Sequence, residues 1–112
     1  MPTFVVTISL PNTYEDDFLA LIPRHRSVIN HLSSEKVIET YAISADRCRG
    51  WATVNGDNAG AVHSIVEQFP LYRYFHSIEI DELFVLDSVA TRFPRNQPEL
   101  GLGPLAIFYL LR

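Results

Sequence analysis

The chain begins with a run of β-branched and apolar residues, which is followed by a segment whose apolar residues recur at helical spacing. Residues 3–10 end at the turn signal Pro11-Asn12, which predicts a first strand. Apolar residues then recur at steps of three and four from Tyr14 to Leu32, which predicts a first helix. Pro23 lies inside this helix and removes a backbone donor, so we expect a kink there or two abutting helices.

The remaining pattern completes one domain. A hairpin is predicted from two strand-like segments, residues 36–44 and 50–55. A turn and a helix cap follow at residues 56–58. The apolar stripe up to Phe69 predicts a second helix, which ends at Pro70. A fourth strand is expected at about residues 73–86. The order β-α-β-β-α-β is typical of an α+β, ferredoxin-like domain, here residues 1–87, with an antiparallel sheet and both helices on one face.

Strand alternation assigns the two faces of this sheet. The helix side receives an entirely apolar set: Phe4, Val6, Ile8, Ile38, Ala42, Ala52, Val54, Ile78 and Ile80. The other face receives a mixed set: Val5, Thr7, Ser9, Glu39, Tyr41, Ile43, Trp51, Thr53, Ser77 and Glu79. This second set is too aromatic for a wetted face and too polar for a closed core, so we expect a homodimer that packs face to face around a partly hydrated cavity.

Part of the sequence resembles a known family. The stretch from Glu35 to Leu83, above all residues 68–74 and 78–83, is similar to the muconolactone isomerase family of the dimeric α/β-barrel superfamily. The resemblance implies a ferredoxin-like monomer that dimerises into a barrel and assembles further into rings. It also implies, more weakly, a cofactor-independent isomerase that moves a proton on a small cyclic metabolite. Cofactor-free monooxygenases and haem-binding proteins of the same superfamily, with Trp51 and Asn55 around a planar ligand, remain alternatives, as does a non-catalytic binding or assembly module.

Six residues are candidates for a site that binds a small molecule. Glu79 is the expected proton carrier, because burial in the dimer cavity would raise the pKa of its carboxyl group. His25 is expected to line a pocket between the first helix and the sheet and to assist. The expected ligand-binding residues are Tyr41, Trp51, Glu39 and Thr53. Each also has a structural interpretation, as an ion-paired or solvated carboxylate, a core histidine or an interface anchor.

Composition excludes several other classes of function. The net charge of −4 gives no basic surface for nucleic acid. Cys48 is the single cysteine and the four histidines do not share a face, so we expect no disulfide and no metal site. Without a phosphate-binding glycine loop, we expect no nucleotide cofactor. No basic leader or long apolar run occurs, and we expect a cytoplasmic protein that does not enter the membrane.

Residues 88–112 continue beyond the domain that the resemblance covers. Pro94, Pro98, Gly101, Gly103 and Pro104 predict an arm without helix, and residues 105–111 are seven consecutive apolar residues of strand length. An exposed segment of this kind would aggregate, so we expect the arm to end in a short strand that packs on a sheet edge or on a neighbouring subunit.

Overall fold

Four antiparallel strands and two helices make up the structure, a computed structural model that describes residues 1–12 and 14–87. Their order is β1 (Thr3–Ser9), α1 (Asp16–Ser34), β2 (Ile38–Ile43), β3 (Arg49–Asn55), α2 (Ala59–Val66) and β4 (Ser77–Glu82). The strands lie in the order β2-β3-β1-β4, which confirms the predicted α+β, ferredoxin-like fold. The arm expected at residues 88–112, with its terminal strand, lies outside the described residues.

The core lies between the sheet and both helices. Strand β1 alternates as predicted, with Phe4, Val6 and Ile8 buried, and these side chains share one cluster with Ile29 of α1 and Val62 of α2. Each such aliphatic or aromatic side chain contributes about 1.5–3 kcal/mol to folding when fully buried. The shared cluster confirms that both helices cover the same face of the sheet.

The two helices are shaped by Pro23 and Asn58. Helix α1 passes through Pro23 as a single element, so it is not divided into two helices. Leu19, whose carbonyl would have paired with the amide that proline lacks, is exposed, and water can take the place of that donor. Helix α2 begins with the predicted cap, because the Asn58 side chain accepts a hydrogen bond from the backbone N–H of Ala61 at 2.8 Å. No helix of the described part of the chain is long and apolar enough to cross a membrane.

Strand β2 departs from the predicted alternation because it contains a bulge. Ile38 lies opposite Val54, but Thr40 lies opposite Thr53, so Glu39 is an extra residue without a partner on β3. Beyond the bulge every side chain changes face. Tyr41 and Ile43 therefore lie on the helix side and Ala42 on the other. The prediction that placed Tyr41 beside Trp51, and Ala42 toward the helices, was wrong.

The Asn55 side chain holds the bulge in place. Its amide nitrogen donates to the Lys36 carbonyl oxygen at 2.9 Å and to the Glu39 carboxylate at 3.2 Å. Its amide oxygen accepts from the Thr3 hydroxyl at 2.6 Å. Lys36, just before β2, adopts a left-handed backbone conformation with φ of 63°. Asn55 thus ties the start of β2 to β3 and β1, and its amide is engaged in the sheet instead of facing a planar ligand.

Two isoleucines at opposite ends of β2 test this description of the core. Ile38 is 2% exposed and Ile43 is 42% exposed. We expect Ile38→Ala to lower the free energy of unfolding by about 2–4 kcal/mol through lost burial and a residual cavity. The matched substitution Ile43→Ala should cost less than about 1 kcal/mol. Urea unfolding followed by circular dichroism measures both, and equal losses would contradict the assigned packing of β2.

Candidate functional site

The described residues form a concave pocket between α1 and the sheet, which we call the α1 pocket. Its volume is about 370 Å³. Apolar side chains from four parts of the chain form its walls, among them Ile8 on β1 and Leu10 just after it, Phe18 and Ile22 on α1, Ile43 on β2, and Leu71 before β4. Its place agrees with the pocket that the sequence predicted beside His25.

His25 lies in the α1 pocket with both ring nitrogens near a hydrogen-bonding partner. Its side chain is 3% exposed and packs edge-on against the Phe69 ring, with 5.6 Å between ring centroids. Nε2 lies 2.7 Å from the hydroxyl oxygen of Tyr41. The backbone N–H of Leu71 donates to Nδ1 over a longer 3.4 Å. A buried imidazole is tolerated here because its polar atoms are satisfied.

Burial keeps both members of this pair uncharged at neutral pH. Loss of solvation, together with a smaller effect of the positive charge of Arg26, lowers the pKa of His25 to about 4. Loss of solvation also raises the pKa of the Tyr41 phenol to about 12, a rise that Arg26 partly opposes. Neither side chain is therefore suited to take up or release a proton in water at pH 7, whereas the Tyr41 hydroxyl can hydrogen-bond a ligand.

Arginines and a second phenol lie at the mouth of the α1 pocket. Arg26 and Arg47 are the charged lining residues, and both are exposed. The Tyr14 hydroxyl donates to the backbone carbonyl of Arg47 at 2.7 Å, and the Tyr14 ring stacks on Phe18 at 4.7 Å between centroids. Arg47 has a left-handed backbone with φ of 64°. The lining residues of the pocket include Arg26 and Arg47 and no carboxylate.

The other sequence-predicted residues lie on the opposite side of the sheet. Trp51 and Glu79 both flank Thr7, and Thr53 lies one row away; we call this surface the open face. Glu79 is exposed in the single chain. Thr53 is buried, and its hydroxyl lies 2.7 Å from that of Thr40. Glu39 is exposed in the bulge.

The structure therefore divides the candidates into two groups. His25 and Tyr41 meet in the α1 pocket, whereas Glu79, Trp51 and Thr53 share the open face with the sheet between them and the pocket. Glu79 and His25 of one chain consequently do not face a common ligand, contrary to the catalytic pair expected from the sequence.

Two solved structures share this architecture. A crystal structure of muconolactone isomerase matches with 21% identity over 77% of this chain and 92% of that one, at a TM-score of 0.61. The 5-chloro-2-hydroxyhydroquinone dehydrochlorinase of Burkholderia phenoliruptrix, in complex with 2,5-dihydroxybenzoquinone, matches with 13% identity over 72% and 92%, at a TM-score of 0.53. This chain has the muconolactone isomerase fold. No family model and no curated protein matches the sequence.

Four contributors to the α1 pocket were not found from the sequence: Tyr14, Arg26, Arg47 and the Leu71 amide. Arg26 directly follows His25, so helical geometry alone could have placed it near the mouth. Arg47 offered no such signal, because its position depends on the turn between β2 and β3. Within residues 1–12 and 14–87 no group of three or more His, Cys, Asp or Glu side chains could hold a metal ion.

The low pKa of His25 predicts a pH dependence of stability. The folded state binds the imidazole proton only near pH 4, whereas the unfolded chain binds it near the ordinary pKa of 6.5. Between these values the unfolded state holds more protons, so stability is complete above about pH 6.5 and falls as the pH is lowered. We expect the wild-type protein to lose about 1–2 kcal/mol between pH 7 and pH 5.

Urea unfolding at both pH values measures this loss, and the His25→Gln variant should show a smaller one because its side chain does not titrate. His76 is exposed, so His76→Gln is the matched control and should keep the wild-type dependence. An unchanged pH dependence in His25→Gln would contradict the burial of a neutral imidazole.

Proposed function

We propose that the protein binds a small cyclic compound with an acidic oxygen, such as a carboxylate, phenolate or enolate, in the α1 pocket. The observation that carries this proposal is the charge pattern of the pocket: apolar walls, two neutral hydrogen-bonding groups inside, and only arginines among the charged lining residues. The binding partner is expected to match that pattern with an apolar ring and a negative oxygen.

Size and charge both support a ligand of this class. About 370 Å³ is enough for a single substituted ring, and it lies within the ordinary range for small-molecule sites. The ring would remove the exposed side chains of Leu19 and Ile43 from water, while its oxygen would meet Arg26 or Arg47. Hydrogen bonds to a charged group contribute about 1.5–3 kcal/mol each, more than neutral ones.

The two fold neighbours support the same chemical class. One acts on a muconolactone and the other holds 2,5-dihydroxybenzoquinone, and both compounds are small oxygenated rings. The likeness to them is one of fold, so the argument for this chain depends on its own pocket residues. The neighbours determine only which compound is used to test binding: 2,5-dihydroxybenzoquinone, which one of them holds.

A proton-shift isomerase is the second candidate, and the muconolactone isomerase fold favours it. Removing a proton beside a ring carbonyl places negative charge on the carbonyl oxygen, which a Tyr41 hydroxyl could stabilise. The reaction also needs a base. The α1 pocket offers no carboxylate, and Glu79 lies on the open face. Binding is therefore the better supported function. Catalysis by Glu79 is tested separately below, with the Glu79→Gln variant.

Titration with 2,5-dihydroxybenzoquinone tests the binding proposal. Its hydroxyl groups are acidic and its colour reports binding directly. We expect a saturable complex that the Arg26→Ala/Arg47→Ala double variant weakens at least about tenfold, because charge-assisted hydrogen bonds are lost. Arg24→Ala is the matched control: Arg24 lies on α1 too, but lines a separate cleft, and its loss should leave affinity within about twofold.

Equal losses in the control and in the double variant would contradict a specific anion site, and no binding by the wild-type protein would contradict the proposed function. Incubation with muconolactone tests the second candidate. Turnover that Glu79→Gln removes, while 2,5-dihydroxybenzoquinone binding persists, would establish the isomerase with Glu79 as a catalytic residue.

We also propose that the open face is covered by a second copy of the chain. Trp51 is half-buried in one chain and lies beside Val5, Thr7 and Ala42, a surface that mixes apolar and hydroxyl side chains as protein interfaces do. The resemblance of the sequence to the dimeric α/β-barrel superfamily also supports a homo-oligomer here. The helices occupy the other face, so this surface is available for pairing.

Sedimentation velocity tests the assembly. The wild-type protein should sediment as a dimer or a larger oligomer at micromolar concentration. Trp51→Glu should shift it to monomer, because a buried unpaired carboxylate at an interface costs several kcal/mol. Asn30→Glu, at an exposed position of α1, should leave the assembly unchanged. A monomeric wild-type protein would contradict this proposal.

A further inference from the structure

The contact between Leu71 and His25 determines where the imidazole proton lies. A backbone N–H cannot rotate and can only donate, and the Leu71 N–H points at Nδ1. If Nδ1 carried the proton, two N–H groups would face each other across 3.4 Å. The imidazole is neutral at pH 7, since burial lowers its pKa to about 4, so it carries one proton. That proton is therefore on Nε2.

A proton on Nε2 also determines the direction of the next hydrogen bond. Nε2 lies 2.7 Å from the Tyr41 hydroxyl oxygen, so the imidazole donates and Tyr41 accepts. The hydroxyl's own proton must then point away from His25. Among the described residues no side chain or carbonyl accepts it, and Tyr41 lines the α1 pocket. A free donor is left at the pocket wall.

We infer that His25 is a positioning residue that presents the Tyr41 hydroxyl as a hydrogen-bond donor to an acceptor oxygen of the ring ligand. The chain of donors runs from the Leu71 amide through His25 to Tyr41, and each bond polarises the next and strengthens the last donor. The inference rests on the proposed function for its ligand. It also specifies a second contact with the ligand: the Tyr41 hydroxyl donates to a carbonyl, carboxylate or phenolate oxygen, in addition to the contact between the ligand's anionic oxygen and the arginines at the mouth.

The first experiment needs no ligand. Nitrogen-15 NMR of histidine-labelled full-length protein at pH 7 distinguishes the two neutral tautomers by the shifts of the ring nitrogens and their couplings to the ring protons. We expect His25 to be protonated on Nε2. The same tautomer should persist in Tyr41→Phe, because the Leu71 amide and not the phenol determines it. A proton on Nδ1 would overturn the inference.

The second experiment is a double-mutant cycle on the affinity for 2,5-dihydroxybenzoquinone. Tyr41→Phe should weaken binding about tenfold or more, the loss of one hydrogen bond to a charged oxygen. His25→Leu should weaken it several-fold in the wild-type background and not at all in the Tyr41→Phe background, because His25 acts through Tyr41. His25→Gln, whose amide can donate to Tyr41, should retain more affinity than His25→Leu.

Additive losses in the cycle would overturn the inference, since a histidine that only packs the pocket would act independently of Tyr41. Should His25→Leu fail to fold, His25→Phe, which keeps a ring in the pocket but cannot donate to Tyr41, replaces it in the cycle with Tyr41→Phe. Failure of the wild-type protein to bind the probe contradicts the proposed function instead, and the tautomer measurement still decides the direction of the hydrogen bonds.

Discussion

One extra residue in β2 determines what the rest of the molecule can do. Glu39 has no partner on β3, and the bulge it creates turns Tyr41 from the open face to the helix side. Without the bulge the phenol would lie beside Trp51, and His25 would face the sheet with no acceptor for its Nε2 proton. An unpaired buried donor costs about 1–3 kcal/mol, so the register of β2 and the burial of His25 depend on each other.

The burial of a histidine in an apolar pocket has a chemical consequence. An imidazole in water changes charge close to physiological pH, but here it stays neutral because Phe69 and the walls of the pocket exclude solvent. The group that would otherwise act as a base becomes a fixed relay between a backbone amide and a phenol. Positive charge in the site comes instead from Arg26 and Arg47, which remain solvated at the mouth. For the proposed ligand, the interior of the pocket would then select by hydrogen bonding and the mouth by charge.

The sequence predicted the fold well because most of it depends on local signals. Strand β1 alternates without interruption, Asn58 caps α2, and the apolar stripes of both helices match the core that forms. The place of His25 also followed from its helical phase. The face of Tyr41 did not, because alternation contains no information about a bulge that Asn55 stabilises from another strand. The tautomer of His25 depends on an amide 46 positions away, which no local pattern reports.

The sheet lies between the proposed ligand pocket and the proposed dimer surface. The same strand, β2, contributes residues to both. A ligand of the proposed kind would enter the α1 pocket from the side of α1 and the turn at Arg47, so a second copy on the open face would not block it. Yet Thr40 and Tyr41 are consecutive, and they face opposite ways: the Thr40 hydroxyl contacts Thr53 on the open face, while Tyr41 contacts His25 in the pocket. A partner subunit that displaces Thr40 would displace Tyr41 only by moving the backbone of β2. The Asn55 contacts that hold the start of β2 resist that movement, and so keep the Tyr41 donor in place whether or not the open face is covered.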